Sequence, residues 1–101
     1  MMSSNKPKMV EIENVLHPGS VKRVQADKYE AMKHAFLHIL PTEAPGMTGE
    51  EIMEHVTPLL PQDLFPGGSK VGWWFGAVQL DLAAKGIIKR VGTRPIRFLK
   101  V

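Results

Sequence analysis

The segment from Ser69 to Gly86 restricts the folds open to this chain more than any other. Val71, Trp74, Phe75, Val78 and Leu82 follow one another at spacings of three, one, three and four, which lays one apolar stripe along a helix. Ser69 stands where an N-cap is expected and Gly86 where a left-handed C-terminal stop is expected, so the helix is predicted to run to about Lys85. Two β-rich runs follow directly, Ile87 to Val91 and Ile96 to Val101, on either side of Gly92-Thr93-Arg94-Pro95. Such runs around a short Gly/Pro turn form a hairpin. A long apolar helix that feeds a β-ribbon packs over further helices, and the rest of the chain offers two.

The first is predicted from Asp27, read as an N-cap with Glu30 completing a capping pair, to Pro41. Tyr29, Met32, Phe36, Ile39 and Leu40 form its inward stripe, and Glu30, His34 and His38 lie opposite. Residues 41–47 connect it to the second helix. There Thr48 and Glu51 form a T-x-x-E capping box, and Met47 and Ile52 flank it as a hydrophobic staple. Ile52, Met53 and Val56 point inward, and Pro58 stops the helix near Thr57. Pro61 to Gly68 reads as a loop anchored by Leu64 and Phe65. Near the start, Val10 and Ile12 alternate with Glu11 and Glu13, His17-Pro18-Gly19-Ser20 turns the chain, and Val21 to Val24 return. The expected fold is therefore α+β: a three-helix core between an N-terminal hairpin over 9–25 and a C-terminal one. It forms a single domain over 9–101 behind a disordered leader over 1–8. The first hairpin has open edges, which invite it to extend the second sheet or to join two copies.

Charge is distributed unevenly. Residues 1–60 carry six basic and eight acidic side chains, a net of −2, and residues 61–101 carry seven and two, a net of +5. A basic C-terminal part is the footprint of a polyanion partner or simply an uneven soluble surface. The chain has no cysteine, which excludes disulfides, thiolate nucleophiles and cysteine-based zinc sites. It has no run near the roughly 20 apolar residues of a membrane span and no signal-peptide core, so a cytoplasmic protein is expected.

Leu82-Ala83-Ala84-Lys85-Gly86-Ile87-Ile88-Lys89-Arg90 resembles the Leu-x-x-Lys-Gly-apolar-Ile-x-Arg run that joins recognition helix to wing in bacterial winged-helix regulators. The resemblance covers about residues 27–101. Val71-Gly72-Trp73, opening the third helix, is similar to the corresponding stretch in the N-terminal winged-helix domain of Mrr-type restriction proteins. The whole sequence also resembles small uncharacterised bacterial proteins, which offer no activity to carry over.

The winged-helix resemblance implies DNA binding, with Ser69, Lys70, Gly72 and Trp73 near the major groove and Lys89, Arg90, Arg94 and Arg97 of the wing on phosphates or in the minor groove. Lys100 is a further candidate. The residues themselves also support a second reading. The third helix has no Arg, Asn or Gln in its first two turns, the usual readers of base edges. Its outward face, with Trp73, Gly76, Ala77 and Leu80, is small and apolar, which suits a homodimer or protein-partner interface. Trp74 belongs to the core stripe; Trp73 either covers the N-terminal hairpin or serves an interface. His34 and His38 are four apart with Glu30 nearby, but Ala35 stands where a zinc-protease motif needs Glu, and no metal or other cofactor is expected. Asp63 and Asp81 read as isolated acids, Gly67-Gly68-Ser69-Lys70 lacks the full phosphate-loop spacing, and no catalytic set emerges. A non-enzymatic binding protein is expected.

Overall fold

The computed structural model describes residues 8–101, so all of the expected leader except Lys8 lies outside the described residues. The elements are β1 (Met9–Glu13), β2 (Val21–Gln25), α1 (Ala26–Ile39), β3 (Met47–Thr48), α2 (Gly49–Val56), α3 (Val71–Ala84), β4 (Ile88–Val91) and β5 (Arg97–Lys100). They make a small α+β domain with three helices and two antiparallel sheets, one of β1 and β2, the other in the order β3-β5-β4. Both hairpins form, the first over the alternating segment and the second over the two β-rich runs around the Gly/Pro turn. The first does not extend the second sheet but packs as a separate layer on α1 and α3. Lys8 belongs to it, since its carbonyl accepts from the Ala26 N–H at 2.9 Å.

The helix ends show which local signals held. Thr48 and Glu51 form the full reciprocal box: the Thr48 hydroxyl accepts from the Glu51 N–H and the Glu51 carboxylate from the Thr48 N–H. That backbone donor holds the Glu51 carboxyl below its usual range. Asp27 does not cap α1. The helix starts directly out of β2 with extended Gln25 before it, so Asp27 falls inside the first turn, next to the positive helix end. Ser69 does not cap α3 either: Lys70 intervenes in a left-handed conformation and no side chain caps the helix. At the far end Gly86 has φ +74°, its N–H bonds the Ala83 carbonyl, and the Ile87 N–H bonds the Leu82 carbonyl. This pair of bonds closes the helix and turns the chain into β4.

The core sits among the three helices and the inner face of the larger sheet, and Ile12 and Val24 of the first hairpin join it. Phe36 of α1, Phe75 of α3 and Phe98 of β5 meet edge to face, with centroids 5.4 Å (36–75), 6.3 Å (36–98) and 5.4 Å (75–98) apart. Phe65 anchors the loop before α3 against Trp74, as expected. The strand β3 pairs Met47 with Phe98 and Thr48 with Arg97. Its approach depends on Gly46, whose φ is +82° and where a Cβ would lie 2.6 Å from the Phe98 carbonyl oxygen.

Asp81 is not isolated. It is fully buried on α3 and gathers donors from two other elements. Its carboxylate accepts from the Glu13 N–H of β1 at 2.8 Å and from the Tyr29 hydroxyl of α1 at 2.5 Å, and it pairs with Lys85 at 2.9 Å. The Val15 N–H adds a bond to the Leu80 carbonyl at 3.3 Å. Burial, and next the hydrogen bond and charge of Asp81, push the Tyr29 phenol well above its ordinary range. Tyr29 therefore stabilises the fold fully below the ordinary tyrosine value of about 10, and this contribution is lost as pH rises beyond it. The chain contains one tyrosine. We expect tyrosinate absorbance to stay flat through pH ~10 and to rise only with unfolding; a simple titration centred near 10 in the folded protein would contradict this placement.

Candidate functional site

The start of α3 combines an unusual backbone with an exposed aromatic ring. Gly67, Gly68 and Lys70 all have positive φ, and Lys70 (φ 61°) is the only non-glycine with one among the described residues. A left-handed conformation costs a residue with a side chain about 1–2 kcal/mol, and such strain tends to collect at functional positions. Here it turns the chain sharply into the helix. The first turn of α3 contains no acidic residue and receives no side-chain cap.

Trp73 stands beside this turn with 48% of its surface exposed, whereas Trp74 retains only 5%. The two indoles meet edge to face at 5.0 Å and 79°, so the buried ring holds the exposed one upright. The Lys22 ammonium of β2 lies 5.0 Å from the Trp73 ring centre, a contact worth about 0.5–1 kcal/mol at an exposed site. Trp73 divides two grooves. One, of about 470 Å³, lies between the hairpin and α3; Gly72, Gly76 and Ala77 line it together with Leu80 and Lys22. The other, of about 400 Å³, is lined by Gln25, Lys28, Lys70, Trp73 and Trp74 and by no acid. The structure thus gathers Lys22 from β2, Lys28 from α1 and Lys70 from the loop before α3 around one exposed indole. Lys22 and Lys28 were not among the residues singled out from the sequence, because nothing local in β2 or α1 points toward Trp73.

The wing cations do not form one stripe. The register sets Arg90 opposite Phe98 and Ile88 opposite Lys100, which places Arg90 and Lys100 on the face that Ile88 and Phe98 turn to the core. Arg90 Nε is enclosed and without a partner. Lys89 and Arg97 lie on the opposite face, where Arg97 Nη1 reaches the Gly46 carbonyl at 3.4 Å and Glu51 Oε1 at 3.9 Å. Lys89 is exposed, as is Arg94 in the turn between the strands. Ser69 is exposed just ahead of Lys70, with an extended backbone.

His34, His38 and Glu30 are all exposed on α1, and among the described residues no three His, Asp or Glu side chains converge to hold a metal. Among the same residues no helix is long and apolar enough to cross a membrane. The arrangement offers positive charge and an aromatic face, which suits an anion carrying a planar ring.

If Trp73 belongs to a site and Trp74 to the core, truncation separates them. Trp74→Ala should cost about 3–5 kcal/mol in urea unfolding, while Trp73→Ala should cost less than about 1 kcal/mol. Equal losses would make Trp73 a packing residue.

A family model described as a family of unknown function (DUF6958) matches residues 9–98. No curated protein and no solved structure matches the chain.

Proposed function

The chain belongs to this family of unknown function, and we propose that it is a nucleic-acid-binding domain of winged-helix type. The observation that carries the reading is the convergence of Lys22, Lys28 and Lys70 on exposed Trp73 at the start of α3. The order of elements supports it: three helices lead into a β-hairpin, and the hairpin's inner face packs on the helices. In this reading Lys70 and Lys28 neutralise phosphates beside α3, and Lys89 and Arg94 do so from the wing. Arg90 and Arg97 contribute less, because the first turns toward the core and the second is engaged by Gly46 and Glu51.

A second reading keeps the wing out of the function and uses the groove between hairpin and α3 as a protein interface. Its support is the small apolar lining of Gly72, Gly76 and Ala77 with Leu80. One experiment separates the two. Binding to random-sequence single-stranded and duplex DNA is measured across a salt series. The nucleic-acid reading expects affinity to fall steeply with salt, and Lys70→Gln or Arg94→Gln each to lower the log–log slope by about one. Undetectable binding to both at low salt would end it. A dimer in sedimentation that Trp73→Ala converts to a monomer would then favour the interface.

A further inference from the structure

We propose that Trp73 is a stacking platform for an unpaired base of a single-stranded nucleic acid, with the adjoining phosphates held by Lys22, Lys28 and Lys70. The inference rests on the nucleic-acid reading above and specifies the form of the polymer. Stacking requires an aromatic face that is open and held in place. Trp73 is nearly half exposed, and the edge contact with buried Trp74 fixes its orientation. The Lys22 ammonium lies over the ring, where an arriving base would displace it toward a neighbouring phosphate. The groove on the Lys70 side, at about 400 Å³, falls within the roughly 300–1,000 Å³ of ordinary ligand sites. Its lining pairs two ammonium groups with two indoles, and among the described residues none of the three lysines has a carboxylate partner. Together the ring and the cations form the two halves of a single-strand site, a stacking surface and a cationic track.

Geometry disfavours a duplex here. A bare helix is about 10–12 Å across and already fills a major groove about 12 Å wide. On this molecule the hairpin runs beside α3, tied to it by the Glu13–Asp81 and Val15–Leu80 bonds, so the pair is too broad to enter. The glutamine of α3, Gln79, is buried and unavailable to read a base edge. An indole cannot reach the face of a base that remains stacked within a duplex, whereas an unpaired base presents it.

The test is titration of the intact protein at low salt with a short oligothymidylate, with a duplex of equal length and with thymidine monophosphate, following tryptophan emission and, independently, anisotropy of a labelled strand. The single strand should quench the emission and bind at least about tenfold more tightly than the duplex. Trp73→Leu should lose the quenching and about tenfold in affinity, and Trp73→Phe should keep most of the affinity. Lys28→Gln and Lys70→Gln should each flatten the salt dependence while retaining residual quenching. Tighter binding of the duplex, or full affinity in Trp73→Leu, would overturn the stacking site and leave the nucleic-acid reading intact. Monophosphate binding as tight as that of the strand would assign the pocket to a free nucleotide and overturn the polymer. Failure of both strand and duplex to bind would remove the nucleic-acid reading itself.

Discussion

Asp81 joins the N-terminal hairpin and α1 to α3. A carboxylate removed from water needs compensating donors, and removing one partner from such a buried pair typically costs about 3–5 kcal/mol. Here the donors come from β1, α1 and the end of α3 itself. The consequence is mechanical. With Glu13 bound to Asp81, the N-terminal hairpin lies along α3, and β2 carries Lys22 over the Trp73 ring. Without that anchor the hairpin would rest on the packing of Ile12 and Val24 against the helices, since a two-stranded sheet is marginal alone in water.

The apolar character of α3 follows from its position. It packs against α1, α2, β1 and β4, so residues on several faces are buried, including Gln79 as well as the expected stripe. What remains outside is Gly72, Trp73 and the half-covered Gly76, Ala77, Leu80, Ala83 and Ala84. A helix buried in this way has little perimeter left for base-reading side chains. The positive charge of the site is therefore supplied by neighbours, from β2, from α1 and from the strained turn at Lys70.

Much of the fold was legible in the sequence because the signals were local. The Thr48–Glu51 box, the Gly86 stop, the stripe from Val71 to Leu82 and the two hairpins each depend on residues within one element or one turn. The failures have physical reasons as well. Asp27 and Ser69 are good caps by type, but β2 runs straight into α1, and Lys70 takes the position before α3. The strand at Met47 and Thr48 is two residues long, too short to show an alternation. Lys85, four residues on, is a partner of Asp81 that the sequence shows, whereas the two that tie it to other elements, Tyr29 and Glu13, are 52 and 68 residues away in the chain. The candidate site was half legible: Lys70 and Trp73 stand out along the sequence, whereas Lys22 and Lys28 become relevant only once the hairpin is docked.

The claim beneath all of this is that one buried carboxylate fixes the hairpin on α3. Amide hydrogen exchange in wild type and Asp81→Asn tests it most directly, because the substitution keeps the shape and exchanges an acceptor for a donor. The account predicts that the Glu13 and Val15 amides lose protection in the variant while the β4–β5 amides keep theirs. Unchanged protection at Glu13, or loss spread equally over both sheets, would contradict it.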